Sequence, residues 1–289
     1  MFSKPLYNTI QLLRFPFSLF LLPISLFSFY YIRPQPDLRF WLVIFIWHIL
    51  VFPSSNGYNS FNDRDEGPIG GLKSPPKPTK SLLFVSNVLD LTAVVLAMMI
   101  NPAFCVFVLI YIIASRLYSN RRIRLKKYPI TGFLIVFILQ GAWIFIANFF
   151  AFDSSAMISE RPVLYSAIAA SFFIGTVYPL TQIYQHESDE KDGVKTLSMV
   201  LGKRGTFVFS AIMFFLSTVF VYLTFNNDTS MENFILFNLI MMPATVYFLF
   251  WAFRSFRENR HVNFKNTMTM LVLSSVLNNV FFIILLIKK

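Results

Sequence analysis

Long apolar runs alternate with short polar stretches along the chain, and the lengths of the runs carry the first inference. A helix needs about 20 apolar residues to cross the hydrocarbon of a bilayer. Runs near that length lie at 15–32, 38–55, 81–100, 103–119, 130–152, 163–184, 206–225, 233–253 and 267–287. The pattern predicts an all-α, polytopic membrane protein of nine transmembrane helices, organised as one domain over 1–289. Proline marks two tight connections, Arg33-Pro34-Gln35-Pro36-Asp37 after the first run and Asn101-Pro102 after the third, because proline interrupts the helical hydrogen-bond ladder. At Asn101-Pro102 one long bent helix is the competing reading.

Composition agrees with the pattern. Of 289 residues, 56% are hydrophobic and only 13% charged, and the mean hydropathy of +0.60 lies outside the range of ordinary water-soluble domains. The formal net charge of +11 raises the question of nucleic acid, and the placement of the charges answers it. With the N-terminus in the cytoplasm, the loops at 56–80, 116–129, 185–205 and 254–266 share one side with it. Of the 25 Lys and Arg, only Arg33, Arg39, Arg161, Lys288 and Lys289 fall on the other side. The positive-inside rule therefore orients the protein, and anionic lipid accounts for the cations. No nucleic acid and no obligate protein partner are expected. A single cysteine, Cys105, excludes a disulfide within the chain and a cysteine-rich metal site. The first apolar run lacks a small-residue cleavage pattern and is read as a retained helix; the start lacks an Arg- and Ser-rich transit segment, so a bacterial inner membrane is expected. Asn227-Asp228-Thr229 matches a glycosylation acceptor, a pattern short enough to arise by coincidence.

Two acidic knots interrupt the apolar chain on the predicted cytoplasmic side. The first, Asn59-Ser60-Phe61-Asn62-Asp63-Arg64-Asp65-Glu66, places Asn59 and Asp63 four residues apart, one turn along a helix face. The second repeats that spacing in Gln185 and Asp189, with Glu187, Glu190 and Asp192 interleaved. Hard oxygen donors suit Mg²⁺, which takes one or two carboxylates and completes its shell with water and phosphate oxygens. His48, His186 and His261 are too scattered for zinc. A solvated helix end explains either knot alone equally well.

The basic loop at 115–129 holds Arg124, Lys126 and Lys127, which suit a diphosphate through charge-assisted bonds, although topology alone also explains them. Lys73 and Lys77, at the end of the first acidic loop, are further candidates for the same anion. Carboxylates, cations and a greasy helical interior together point to a substrate with a diphosphate head and a long apolar tail, such as a polyprenyl diphosphate. A metal ion would draw off the diphosphate and leave an allylic cation for an acceptor to trap.

These motifs resemble the UbiA superfamily of intramembrane prenyltransferases over most of the chain. Arg14-Phe15-Pro16-Phe17-Ser18-Leu19 is similar to the start of that family's first helix, and the knot at 59–66 to its Asn-x-x-x-Asp-x-x-x-Asp segment. Tyr118-Ser119 followed by Arg124-Leu125-Lys126 resembles its basic loop; Asp189 to Gly205 resembles the end of its second aspartate motif and the Gly-x-x-Thr-Leu that follows. The resemblance implies nine helices around a central apolar cavity, with Asn59, Asp63 and Asp189 on Mg²⁺-diphosphate, Arg124 and Lys126 on the anion, and Gly193, Thr196 and Leu197 as structural positions. Two positions depart from the family pattern. Gly67 stands where a further Asp is expected, and Gln185 where the second motif begins with Asp.

The leading reading is a Mg²⁺-dependent transferase that moves a prenyl or polyprenyl group from its diphosphate to a lipophilic, aromatic acceptor. Asp63 and Asp189 are its catalytic residues; Lys73, Lys77, Arg124, Lys126 and Lys127 hold the diphosphate; Asn59, Asp63, Gln185 and Asp189 hold the metal. The alternative is a member that binds isoprenoid diphosphate or lipid without turnover. Transport is a third class, disfavoured because helix interiors carry few polar groups, chiefly His48, Gln140 and Asn148, each of which an interhelical hydrogen bond explains.

Overall fold

The computed structural model describes residues 4–226 and 231–288, so Asn227-Asp228-Thr229 lies outside the described residues. Among the described residues nine helices are long and apolar enough to cross a membrane. They are α1 (Leu6–Ile32), α2 (Leu38–Asp63), α3 (Lys80–Ile100), α4 (Pro102–Ser119), α5 (Pro129–Ala151), α6 (Arg161–Gln182), α7 (Leu197–Asn226), α8 (Met231–Arg257) and α9 (Phe264–Lys288). A short helix, His186–Lys191, lies between α6 and α7.

Asn101 is a true boundary. Its backbone is extended, and its side-chain oxygen accepts from Ala103 N at 2.7 Å, capping the helix that Pro102 opens. The bent-helix alternative therefore fails.

Several spans are irregular, and each irregularity has a local cause. Leu6–Ile32 breaks at Arg14, which adopts a left-handed backbone (φ 52°), and the helix restarts with Pro16 in its first turn. A π-helical turn, Ile46–Val51, precedes Pro53 in α2, where the ring removes a helical donor. In α5, Gly141 leaves helical geometry and packs against α6 so tightly that an added Cβ would sit 2.3 Å from Ser171 Cα. Helix α7 starts well before position 206 and kinks at Gly202 (φ 68°).

The packed interior is aromatic: Phe27 of α1 stacks on Phe282 of α9 with centroids 4.5 Å apart, and Trp47, Phe104 and Phe145 are fully buried. The intramembrane polar groups join helices. Trp47 Nε1 donates to Asn148 Oδ1 at 3.1 Å, Asn148 Nδ2 donates to Ser28 Oγ at 2.8 Å, and the His48 ring lies between Ser18 O and Ser25 Oγ. One intramembrane charge escaped the sequence reading: Asp90 of α3 pairs with Arg116 of α4. Large apolar side chains such as Phe84, Leu91 and Met99 cover the outside of α3, the surface a bilayer solvates.

Candidate active site

Helix α2 ends at Asp63 because Arg64 turns left-handed (φ 54°), and the C-terminal carbonyls this leaves open are capped from elsewhere. Arg121 donates from Nε to Asn62 O at 2.5 Å and from Nη2 to Asp63 O at 3.1 Å, seating the basic loop against the end of α2. Arg124, also left-handed (φ 50°), reaches the other knot: Nη1 donates to Asp192 O at 3.0 Å, and Nη2 pairs with the Asp192 carboxylate. The basic loop thus straps the two acidic segments together, an arrangement no local pattern in the sequence displays.

Between them opens a cavity of about 260 Å³ lined by Asn59, Asp63, Asp65, Lys126, Gln185, Asp189 and Asp192 at its polar end. Its other end descends among Phe52, Tyr111, Val136 and Leu139. Asp63, whose side chain is only 4% exposed, meets Lys126 Nζ at 2.5 Å and Arg124 Nη2 at 3.6 Å, yet its Oδ1 has no hydrogen-bond partner. Asn59 Oδ1 accepts from Ser119 Oγ at 2.8 Å. Gln185 caps the short helix and gives its Nε2 hydrogen to Pro68 O at 2.9 Å, which leaves the amide oxygen for another partner.

Burial is the main cause of two perturbed carboxyls. Asp189 is pushed up to about 7, burial leading and the charges of Asp65, Asp63 and Asp192 adding to it while Lys126 opposes. Asp65 is pushed up to about 6 by burial and then by Asp63, against Lys126 and Arg14. Asp63 and Asp192 find countercharges in Lys126, Arg124 and Arg121, whereas Asp65 and Asp189 enter no ion pair among the described residues, a setting that favours an incoming cation. No three acidic, imidazole or thiol groups among the described residues are close enough to cage an ion by themselves. The donor set fits a Mg²⁺ that keeps water and substrate oxygens in its shell, the usual habit of that ion.

The remaining sequence candidates sit farther out. Lys73 and Lys77 are exposed in the extended segment before α3, and Lys127 lies over the Tyr128 ring, 4.9 Å from its centroid; none of the three lines the cavity. Gly67 has open space around it, while Gly193 and Gly202 adopt the positive φ expected of turns (66° and 68°). Three further charged residues, Arg14, Asp65 and Asp192, line the cavity beside the assigned ones. Asp65 enters the cavity because the helix stops at Asp63 and the chain folds back. Arg14, at the break in α1, donates to Gly70 O and Asn56 O at 3.3 Å and lines the same cavity; an arginine at a proline-flanked break was the available signal.

With this geometry in view, a family model described as UbiA prenyltransferase family matches residues 20–284. The chain belongs to the UbiA prenyltransferase family. No curated protein matches it in sequence. Among solved structures, a UbiA homolog from Archaeoglobus fulgidus bound to DMAPP and Mg²⁺ aligns with a TM-score of 0.67 at 18% identity, covering 96% of this chain and 99% of that one. The same homolog bound to GPP and Mg²⁺ gives 0.64 at 18% identity, over 95% and 99%. A structure concerning digeranylgeranylglyceryl phosphate synthase gives 0.63 at 18% identity, over 99% and 98%. The likeness extends across the whole UbiA fold, so this member is an integral membrane protein of nine candidate spans among the described residues.

Proposed function

We propose that this UbiA member transfers a prenyl or polyprenyl group from its diphosphate to a lipophilic, aromatic acceptor in a Mg²⁺-dependent reaction. The single observation that carries the reading is the convergence of two distant helix ends on one cavity. Asp63 and Asp189 line it together, Lys126 stands between them electrostatically, and an apolar floor lies below. Asn59, Asp63, Gln185 and Asp189 would hold the metal, whose chemistry is Lewis-acid neutralisation of the diphosphate oxygens. Lys126 and Arg124 add fixed positive charge beside the leaving group; Lys73, Lys77 and Lys127 form an outer basic rim that attracts the anion as it arrives. The bond from the prenyl carbon to the diphosphate oxygen breaks with its electron pair leaving on the diphosphate. The acceptor's electron pair forms the new bond to that carbon, and the acceptor loses a proton. In this reading the basic end faces the cytoplasm of a bacterial inner membrane.

The test uses the full chain in lipid nanodiscs with radiolabelled geranylgeranyl diphosphate and a membrane lipid extract as acceptor source. Mg²⁺-dependent consumption that Asp63→Ala and Asp189→Ala abolish supports the reading; full activity in both variants refutes the site.

A second reading, binding without turnover, has its own support. Gln185 replaces an acid, Gly67 supplies no side chain, and Lys126 and Arg124 already neutralise Asp63. That reading predicts retained geranylgeranyl diphosphate affinity with no diphosphate release.

A further inference from the structure

The short helix His186–Lys191 carries Asp189, and its six residues need outside support, since isolated helices below about 12–15 residues are marginal in water. Two supports come from residues that line the cavity: Gln185 Nε2 donates to Pro68 O at 2.9 Å, and Arg124 binds Asp192. A third lies apart from the cavity. His186, the first residue of the helix, does not line that space and meets Ser198 Oγ through Nε2 at 2.8 Å.

Ser198 is fully buried in the first turn of α7, and its hydroxyl also meets Thr206 Oγ1 at 3.0 Å. In a straight helix residues eight apart are ~12 Å apart along the axis, too far for two short side chains to touch. The break at Gly202, whose φ of 68° glycine adopts without a steric penalty, lets Thr206 approach Ser198. Thr206 is fully buried as well, and its Oγ1 lies 2.8 Å from Gly202 O.

The direction of this chain follows from counting hydrogens. A carbonyl only accepts, so the single Thr206 hydroxyl hydrogen goes to Gly202 O. The Ser198 hydrogen then goes to Thr206 Oγ1, and Ser198 Oγ accepts from His186 Nε2. No other assignment turns all three contacts into hydrogen bonds. Nε2 is a donor here whether the ring is neutral or charged, so the link does not depend on the charge of His186.

We propose that His186 is a positioning residue: its hydrogen bond to the buried pair of Ser198 and Thr206 tethers the short helix to the kink of α7 and so fixes Asp189 at the polar end of the cavity. The tether stands on the contacts alone; only its effect on metal-dependent binding rests on the prenyl-transfer reading.

The experiment has two arms, both with the full chain in nanodiscs. The first follows amide hydrogen exchange across 186–194 without Mg²⁺ or diphosphate; there the amides of Asp189, Asp192, Gly193 and Val194 bond within the segment. His186→Leu keeps bulk but removes the donor, and should speed exchange of the segment about tenfold. His186→Gln keeps a donor and should restore most of the protection. Ser198→Ala should match His186→Leu, and the two combined should add nothing to either alone. The second arm measures Mg²⁺-dependent binding of geranyl thiodiphosphate, which should weaken about tenfold in His186→Leu and recover in His186→Gln. Unchanged exchange in His186→Leu, an increase that spreads equally to α3 and α4, additive effects of the two substitutions, or full affinity despite a loosened segment overturns the proposal. Absence of metal-dependent binding in the wild type defeats the prenyl-transfer reading alone, and the exchange arm still decides the tether.

Discussion

Two charge clusters lie in or at the edge of this membrane protein, and they are built in opposite ways. At Asp90 and Arg116 the ions answer each other. The guanidinium binds the carboxylate from Nε and Nη2, reaches Ser54 Oγ at 3.2 Å, and lies 4.0 Å from the centroid of the Tyr58 ring. At Asp63 the account stays open. One carboxylate oxygen has no hydrogen-bond partner, two neighbouring carboxyls are displaced upward by burial and mutual repulsion, and a cavity adjoins them. The first cluster joins α3 to α4 with each charge paired to the other; Arg116 Nη1 is left without a hydrogen-bond partner, and neither residue lines the cavity. The second holds acids in a form that a divalent cation and a diphosphate would complete, which is how a binding site differs from a structural ion pair.

Breaking the closed cluster should have the largest effect on folding. Asp90→Ala strands Arg116 and should destabilise by about 3–5 kcal/mol. Thermal unfolding in a fixed detergent measures this, and the double replacement Asp90→Leu with Arg116→Met should recover most of the loss. A small effect of Asp90→Ala would erase the contrast between the clusters. Asp63→Ala and Asp189→Ala should instead spare stability and lower prenyl transfer by about a hundredfold or more, the scale seen when charge stabilisation is removed from a transition state. A drop in melting temperature matching that of Asp90→Ala would recast the open cluster as structural.

The pH response sharpens the contrast next. Folded Asp189 and Asp65 ionise near pH 7 and 6 against an ordinary 3.8, so the folded protein binds more protons than the unfolded chain across that interval. Stability of the metal-free protein should therefore fall as pH rises from about 4 to about 7, and Asp189→Asn should flatten the slope. A stability that climbs over that range contradicts the assignment. Smaller still, Gln185→Asp adds a charge to the second knot and should tighten Mg²⁺-dependent geranyl diphosphate binding by up to about tenfold, read by calorimetry. No change would remove Gln185 from the metal's neighbourhood.

Much of this architecture was legible in the amino-acid pattern. Hydropathy locates the spans because a bilayer leaves the backbone only helix or closed barrel and apolar runs of about 20 residues suit the helix, and Asn101-Pro102 reads as a boundary because the side chain caps what the ring begins. The two acidic knots stand out since charge is scarce elsewhere. What stayed hidden depends on tertiary placement. The left-handed Arg64 turns Asp65 into the cavity, whereas an uninterrupted helix would send it elsewhere. Arg116 looks like one more topology-setting cation until its partner Asp90 is seen across the helix pair. Lys73 and Lys77 are close to the first knot in sequence but exposed beyond the cavity's rim.

The central claim is that Asp63 and Asp189 act on one ion. A double-mutant cycle of Asp63→Asn and Asp189→Asn, scored by Mg²⁺-dependent binding of geranyl thiodiphosphate in nanodiscs, tests it most directly. Either substitution alone should remove nearly all of the metal-dependent affinity, with the double variant no weaker than the single ones. Independent, additive losses, or affinity that ignores both substitutions, would mean that the two carboxylates do not share a site.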